Sequence, residues 1–277
     1  NKMRKFTAIA LAAFFVLFCV ASCAKKAPAP KAGLAKAEDM LSLLPKESNG
    51  LIVIDVHRLM TAESVDKAIK ENKDYQKYQE FIQETGLDPQ KDVFFFAGAM
   101  LGDFTQNTQD GVALLNLKYS KDKLLAKIQK ESGELAKTEY NGFTIYQALP
   151  AGEKKPVSGT FLDDSNIAIG SDFAVKKVID VYQKKAENIW KSQSLPALLK
   201  EMNKAAMVWG GLSIPPEALK KASSQNPMLA AFADIRSIIV SFDSRNKNFV
   251  AEIKAMCQEE GKNKEMVNAP NGFKALG

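Results

Sequence analysis

Thr138-Glu139-Tyr140-Asn141-Gly142-Phe143-Thr144-Ile145-Tyr146 is the stretch that decides the fold. Asn141-Gly142 supplies two residues that tolerate positive φ, which a two-residue type I′ turn demands, and both arms are rich in β-branched and aromatic side chains. The stretch predicts an antiparallel hairpin. A second hairpin is expected just downstream, with arms Ser158–Leu162 and Asn166–Gly170 around the turn Asp163-Asp164-Ser165.

Helical spacing takes over on both sides of these strands. After Gly170, Ser171 or Asp172 can cap a helix with Val175, Val178, Ile179 and Tyr182 on one face, and Ser194-Leu195-Pro196 opens a short helix bearing Leu198, Leu199 and Met202. Upstream, Leu51–Val56 reads as a strand, followed by a helix over Ala62–Thr85. Gly86, Leu87 and Pro89 form its stop signal. Val93–Leu101 and Val112–Tyr119 read as strands joined by a polar loop, Gly102–Gly111. Ser120 then caps a helix with Leu124, Leu125 and Ile128.

From Ala206 the order restarts: a strand over Ala206–Ile214, a helical segment from Pro216 to Phe232 broken near Pro227, and a hairpin of Ile235–Asp243 with Phe249–Met256. Asn271-Gly272-Phe273 echoes Asn141-Gly142-Phe143. The expected class is α+β: antiparallel sheets with helices packed on one face, built from a duplicated β-α-β-β-α unit. The first unit spans 38–204 and the second 205–277. The second is expected to be incomplete, because its hairpin would begin its return arm at Gly277.

The N-terminus carries a different signal. Lys2, Arg4 and Lys5 precede an apolar run, Phe6–Ala21, whose 16 residues would span about 24 Å as a helix. That is short of a ~30 Å hydrocarbon core and fits a secretory signal better than a membrane span. Val20-Ala21-Ser22-Cys23 then resembles the lipobox of bacterial lipoproteins: an aliphatic residue, two small ones and a Cys. The resemblance implies that residues 1–22 are a lipoprotein signal peptide, with Val20, Ala21 and Ser22 read by the signal peptidase. The Cys23 thiol would accept a diacylglyceryl group and its new amino terminus an acyl chain. Each buried CH₂ is worth about 0.8 kcal/mol, so several chains on one residue anchor a protein for good. Residues 23–37 are then the lipidated Cys and an Ala/Lys/Pro tether of at most about 43 Å. Ala24 stands where an inner-membrane retention signal would place Asp. The implied location is therefore the cell envelope, at the outer membrane facing the periplasm in a diderm organism.

The chain has 277 residues, 38 basic and 32 acidic, giving a formal net charge of +6. Seven of the basic residues precede Glu38 and no acidic residue does, so the body beyond Ala37 holds 31 basic against 32 acidic groups. The positive charge belongs to the leader and tether, which removes nucleic acid as a partner.

Chemistry is sparse. With one His, His57, neither a His-rich metal cluster nor a His pair is available in a single chain, and a triad would need a nucleophile that no Gly-x-Ser-x-Gly elbow supplies. Cys257 is the thiol that remains beyond Cys23 once Cys19 leaves with the leader, and reads as a small buried side chain. Asp163-Asp164 reads as turn chemistry, without calcium-loop spacing. Gly210-Gly211 is followed by Pro215-Pro216, which remove amide donors that a phosphate would want. The lysine pairs 154–155, 176–177, 184–185 and 220–221 read as solvated faces, and Phe94-Phe95-Phe96 as core on both faces of a strand. No catalytic, metal or cofactor residue is assigned.

Leu44-Pro45 before an apolar strand, Thr85-Gly86-Leu87-Asp88-Pro89 ahead of Asp92-Val93, and the Gly170-Ser171 junction into a helix are similar to a family of uncharacterised extracytoplasmic bacterial proteins known as a domain of unknown function. The resemblance implies an envelope location and a duplicated α+β fold, and brings no catalytic residues. Two function classes follow. The first is a membrane-anchored envelope lipoprotein with a non-enzymatic binding or structural role, holding an envelope protein, a polymer or a hydrophobic ligand. The alternative is an envelope hydrolase using carboxylates that the fold brings together. A deep cleft with convergent acids would favour the hydrolase, and a shallow apolar patch or a groove between the units would favour binding.

Overall fold

Asn141 and Gly142 have φ of 50° and 82°, the left-handed pair a type I′ turn needs, and join β4 (Ala136–Tyr140) to β5 (Phe143–Ala148). The computed structural model describes residues 36–103, 108–150, 155–193, 195–225, 235–245, 248–257 and 264–266. The other strands are β1 (Ser48–Asp55), β2 (Val93–Asp103), β3 (Thr108–Leu117), β6 (Val157–Phe161), β7 (Asn166–Gly170), β8 (Val208–Ser213), β9 (Ile235–Arg245), β10 (Asn248–Cys257) and β11 (Lys264–Met266). They form one antiparallel sheet in the order β11-β10-β9-β8-β1-β2-β3-β7-β6-β5-β4.

The order makes the repeat visible. β1, β2 and β3 lie side by side, as do β8, β9 and β10, and the two triplets meet through their first strands. β2 and β9 are both 11 residues long, and β3 and β10 both 10. β1 and β8 run antiparallel, with Ile52 opposite Gly210 and Ile54 opposite Val208, so the two triplets extend from this seam in opposite directions across the sheet. The repeat covers strand–helix–strand–strand. The first unit continues into a helix, whereas the second enters β11 six residues after β10. Asn271-Gly272-Phe273 lies outside the described residues.

The helices are α1 (Val56–Thr61), α2 (Glu63–Lys70), α3 (Tyr75–Thr85), α4 (Pro89–Asp92), α5 (Lys121–Ser132), α6 (Asp172–Tyr182), α7 (Leu195–Glu201) and α8 (Pro216–Gln225). The helix expected over Ala62–Thr85 is thus two helices. The Asn72 side chain accepts from the Asp74 amide, a local turn that competes with helix continuation. Val56 is the first residue of α1 instead of the last of a strand, because the Asp55 carboxylate caps that helix by accepting from the Arg58 amide. The polar loop expected over Gly102–Gly111 is strand at both of its ends, since β2 runs to Asp103 and β3 starts at Thr108. Backbone pairing runs on through Gly102–Gln109 and Asp103–Thr108, since a ladder needs amides and carbonyls, not apolar side chains. Other signals match: Ser171 caps α6 by accepting from Ala174, and Gly86 ends α3 with φ 70°.

Alternation along β3 gives the sheet two buried faces over its first half. On the first face, Val112 and Leu114 pack with Val175, Val178 and Ile179 of α6, Leu198 and Leu199 of α7, and Met40 and Leu41 of the 3₁₀ turn Ala37–Leu43. On the second face, Ala113 and Leu115 pack with Val56 and Met60 of α1, Ile69 of α2 and Tyr78 of α3. The expected helical layer is present, and the connection from β1 to β2 adds a layer opposite it. The phenylalanine run divides between the faces, Phe95 joining the first cluster and Phe96 the second.

Candidate binding surface

Strand alternation carries the second face into the other unit. Cross-strand partners Gly98, Ile52, Gly210, Val240 and Ile253 form a row across β2, β1, β8, β9 and β10. On β10 that face is apolar, with Phe249, Ala251, Ile253 and Ala255, and the opposite face carries Glu252 and Lys254. Ile52 is 38% exposed and Ile253 47% exposed, while Val240, Phe242 and Phe249 are half-buried, the last two stacked at 4.9 Å. Ile52 lies at the seam of the units and Ile253 three strands away on β10, so the row exposes large aliphatic side chains at both ends of an apolar strip that crosses the second unit, the kind of surface that marks a contact. The alternation of Phe249–Ala255 signals an apolar face in the sequence, but which of its residues stay exposed is fixed by packing across strands.

The first face of the same unit holds a shallow depression lined by Glu201, Asn203, Ile239, Ser241, Glu252 and Lys254, with room for about one water molecule and none for an enclosed ligand. Lys254 Nζ sits 3.3 Å from Glu252, so one of its two carboxylates is already paired.

The residues weighed in the sequence fall elsewhere and apart from one another. His57 is exposed on α1 and its Nδ1 donates to the Gln90 carbonyl at 3.1 Å, while Asp55 is committed to its cap. Asp163 serves its turn: the carboxylate accepts from the Ser165 amide (2.8 Å), Asn166 Nδ2 (2.9 Å) and the Tyr182 hydroxyl (3.1 Å). The Tyr119 hydroxyl donates to its backbone carbonyl. Burial, then the charges of Asp163 and Asp164, push the Tyr119 phenol up to about 12. Lys176 pairs with Asp172 and Lys177 with Glu47. Gly210 and Gly211 lie inside β8, where Gly210 faces β1 and Gly211 receives Met202 and Leu198. Cys257 ends β10, half-buried. Among the described residues, no three His, Cys, Asp or Glu side chains gather closely enough to hold a metal ion. Val20, Ala21, Ser22 and Cys23 lie outside the described residues.

Between the units, Arg58 of α1 donates to the Ala205 carbonyl (2.8 Å) and pairs with Asp243 of β9 (3.1 Å). Glu84 of α3 receives Lys127 and Lys130 of α5, and these two hydrogen-bonded ammonium groups hold its carboxyl down to about 2.

Residues 76–274 match the family described as "Protein of unknown function (DUF3352)". The chain belongs to this family. The DUF3352 region begins inside α3 and includes β2 through β11, so β1, the strand that joins the two triplets, precedes it. No curated protein matches the chain. Among solved structures, crystal form III of TP0453 is similar over 85% of this chain and 84% of that one, at 12% identity and a TM-score of 0.48. Crystal form I of TP0453 is similar over 85% and 83%, at 11% identity and a TM-score of 0.46.

Proposed function

We propose that this DUF3352 protein is a lipid-anchored envelope protein with a binding or structural role, tethered through Cys23 and residues 24–37, and that it holds its partner or a hydrophobic ligand on the apolar strip. The exposed Ile52 and Ile253 carry the reading: one sheet face leaves large aliphatic side chains in water at both ends of a row that runs from the seam to β10. The Val20-Ala21-Ser22-Cys23 motif supports the anchor. On this reading the protein sits in the cell envelope, at the outer membrane facing the periplasm where the organism has one.

Two measurements test it. Metabolic labelling with a palmitate analogue is expected to mark the wild type and not Cys23→Ala; equal labelling would refute the anchor. A photocrosslinking residue at Ile253 is expected to give discrete adducts in cells, whereas one at Lys200, exposed on α7, is not. Adducts from Lys200 alone would move the binding surface to the first face. The hydrolase reading has the Glu201–Glu252 depression as its support, and it requires Glu201→Gln to abolish an activity on envelope material.

A further inference from the structure

The outer edge of the sheet at β4 is complementary to itself. Four of its five residues, Ala136 to Glu139, are exposed, and among the described residues β4 pairs with β5 alone. In a two-residue hairpin the closing pair, here Tyr140 and Phe143, exchanges both backbone hydrogen bonds. Alternation gives the same inward bonding to Thr138 with Ile145 and to Ala136 with Gln147. It leaves the N–H and C=O groups of Lys137 and Glu139 directed away from β5. Their side chains share the second face, with Thr138 between them on the first.

From this juxtaposition we infer that β4 is an interface for a second copy of the chain, pairing with its counterpart about a two-fold axis through Thr138. In that register Lys137 lies opposite Glu139 of the second copy and Glu139 opposite its Lys137. Each is a hydrogen-bonded pair, so four backbone hydrogen bonds and two opposite-charge cross-strand pairs form together. Thr138 meets Thr138 in the non-hydrogen-bonded position, a favourable β-branched pair. The neighbouring registers that keep outward-directed groups paired put Lys137 opposite Lys137 or Glu139 opposite Glu139, so charge selects the symmetric one. The contact is a head-to-head continuation of the sheet that closes after two copies and does not propagate. It would join two eleven-stranded sheets at the ends remote from β11, leaving the apolar strip available in both. The inference uses neither the lipid anchor nor the strip.

The test uses the full chain in cells, with Cys257→Ser as background. Non-hydrogen-bonded partners have Cα atoms about 4.5 Å apart, within disulfide reach, so Thr138→Cys is expected to give a dimer on mild oxidation that the Cys257→Ser parent does not. Lys137→Glu and Glu139→Lys, each placed in the Thr138→Cys chain, set like charges opposite one another. Each is expected to lower the crosslinked fraction by about tenfold. Co-expressed with tags of different size, the two charge variants are expected to restore crosslinking, now as the mixed pair, which also shows that both variants fold. Absence of a Thr138→Cys dimer overturns the interface. Undiminished crosslinking in either charge variant, or no preference for the mixed pair, overturns the register and with it the proposal.

Discussion

Tyr119 shows what one residue gains from the fold. The Asp163-Asp164-Ser165 turn is readable in the sequence, but the phenols it gathers come from 44 residues upstream (Tyr119) and 19 downstream (Tyr182), so no local pattern discloses them. Burial and the two carboxylates raise the Tyr119 phenol from its ordinary 10.0 to about 12. Folding therefore favours the neutral phenol. That stabilisation is fully present below pH 10 and is lost as pH rises from 10 through 12. An absorbance titration of wild type against Tyr119→Phe should show one late-ionising phenol missing in the variant. The alkaline fall in unfolding midpoint should be shallower in the variant across the same window. At neutral pH the variant should be less stable by about 1 kcal/mol for the lost hydrogen bond; unchanged behaviour on both counts would show that the Tyr119 contact contributes nothing.

At the scale of elements, legibility follows how local the cause is. The Asn141-Gly142 turn, the Ser171 cap and the Gly86 stop are decided within four residues, and each stands where the sequence puts it. The break at Asn72 was hidden because apolar spacing continues through it, from Ile69 to Tyr75 and Tyr78, while one side chain diverts the backbone. The hairpin offers the sharpest check. Gly142 sits at φ 82° with nothing within 4 Å of where a Cβ would stand, so Gly142→Ala carries backbone strain alone. A loss of about 1–2 kcal/mol is expected, read as a lower denaturant midpoint with unchanged slope. Asn141→Gly, at φ 50°, should stay within about 0.5 kcal/mol of wild type. If the two variants behaved alike, the turn would not be setting the hairpin.

The whole molecule rests on a seam that no segment shows alone: β1 and β8 are more than 150 residues apart and become neighbours through the repeat. Gly210-Gly211, which in sequence invites comparison with a phosphate loop, is the seam's packing device. A Cβ on Gly210 would lie 2.4 Å from the Leu51 carbonyl oxygen and 2.9 Å from Ile52 Cα, both backbone atoms that can yield only if β8 leaves β1. A Cβ on Gly211 would meet the Met202 methyl at 2.6 Å, the far end of a flexible side chain, and the Ile238 carbonyl at 3.0 Å. The two alanine substitutions therefore separate by place as well as size. Gly210→Ala should cost about 2–4 kcal/mol and Gly211→Ala about half as much. Hydrogen exchange sharpens the contrast, because separating the strands frees the amides that pair β1 with β8 while β2–β3 and β9–β10 keep their own partners. In Gly210→Ala the amides of Leu51, Val53, Trp209 and Gly211 should lose protection ahead of those in the two hairpins. Uniform loss across all strands would mean that the units do not hold together independently of the seam, and that the sheet, though built from a repeat, opens as one.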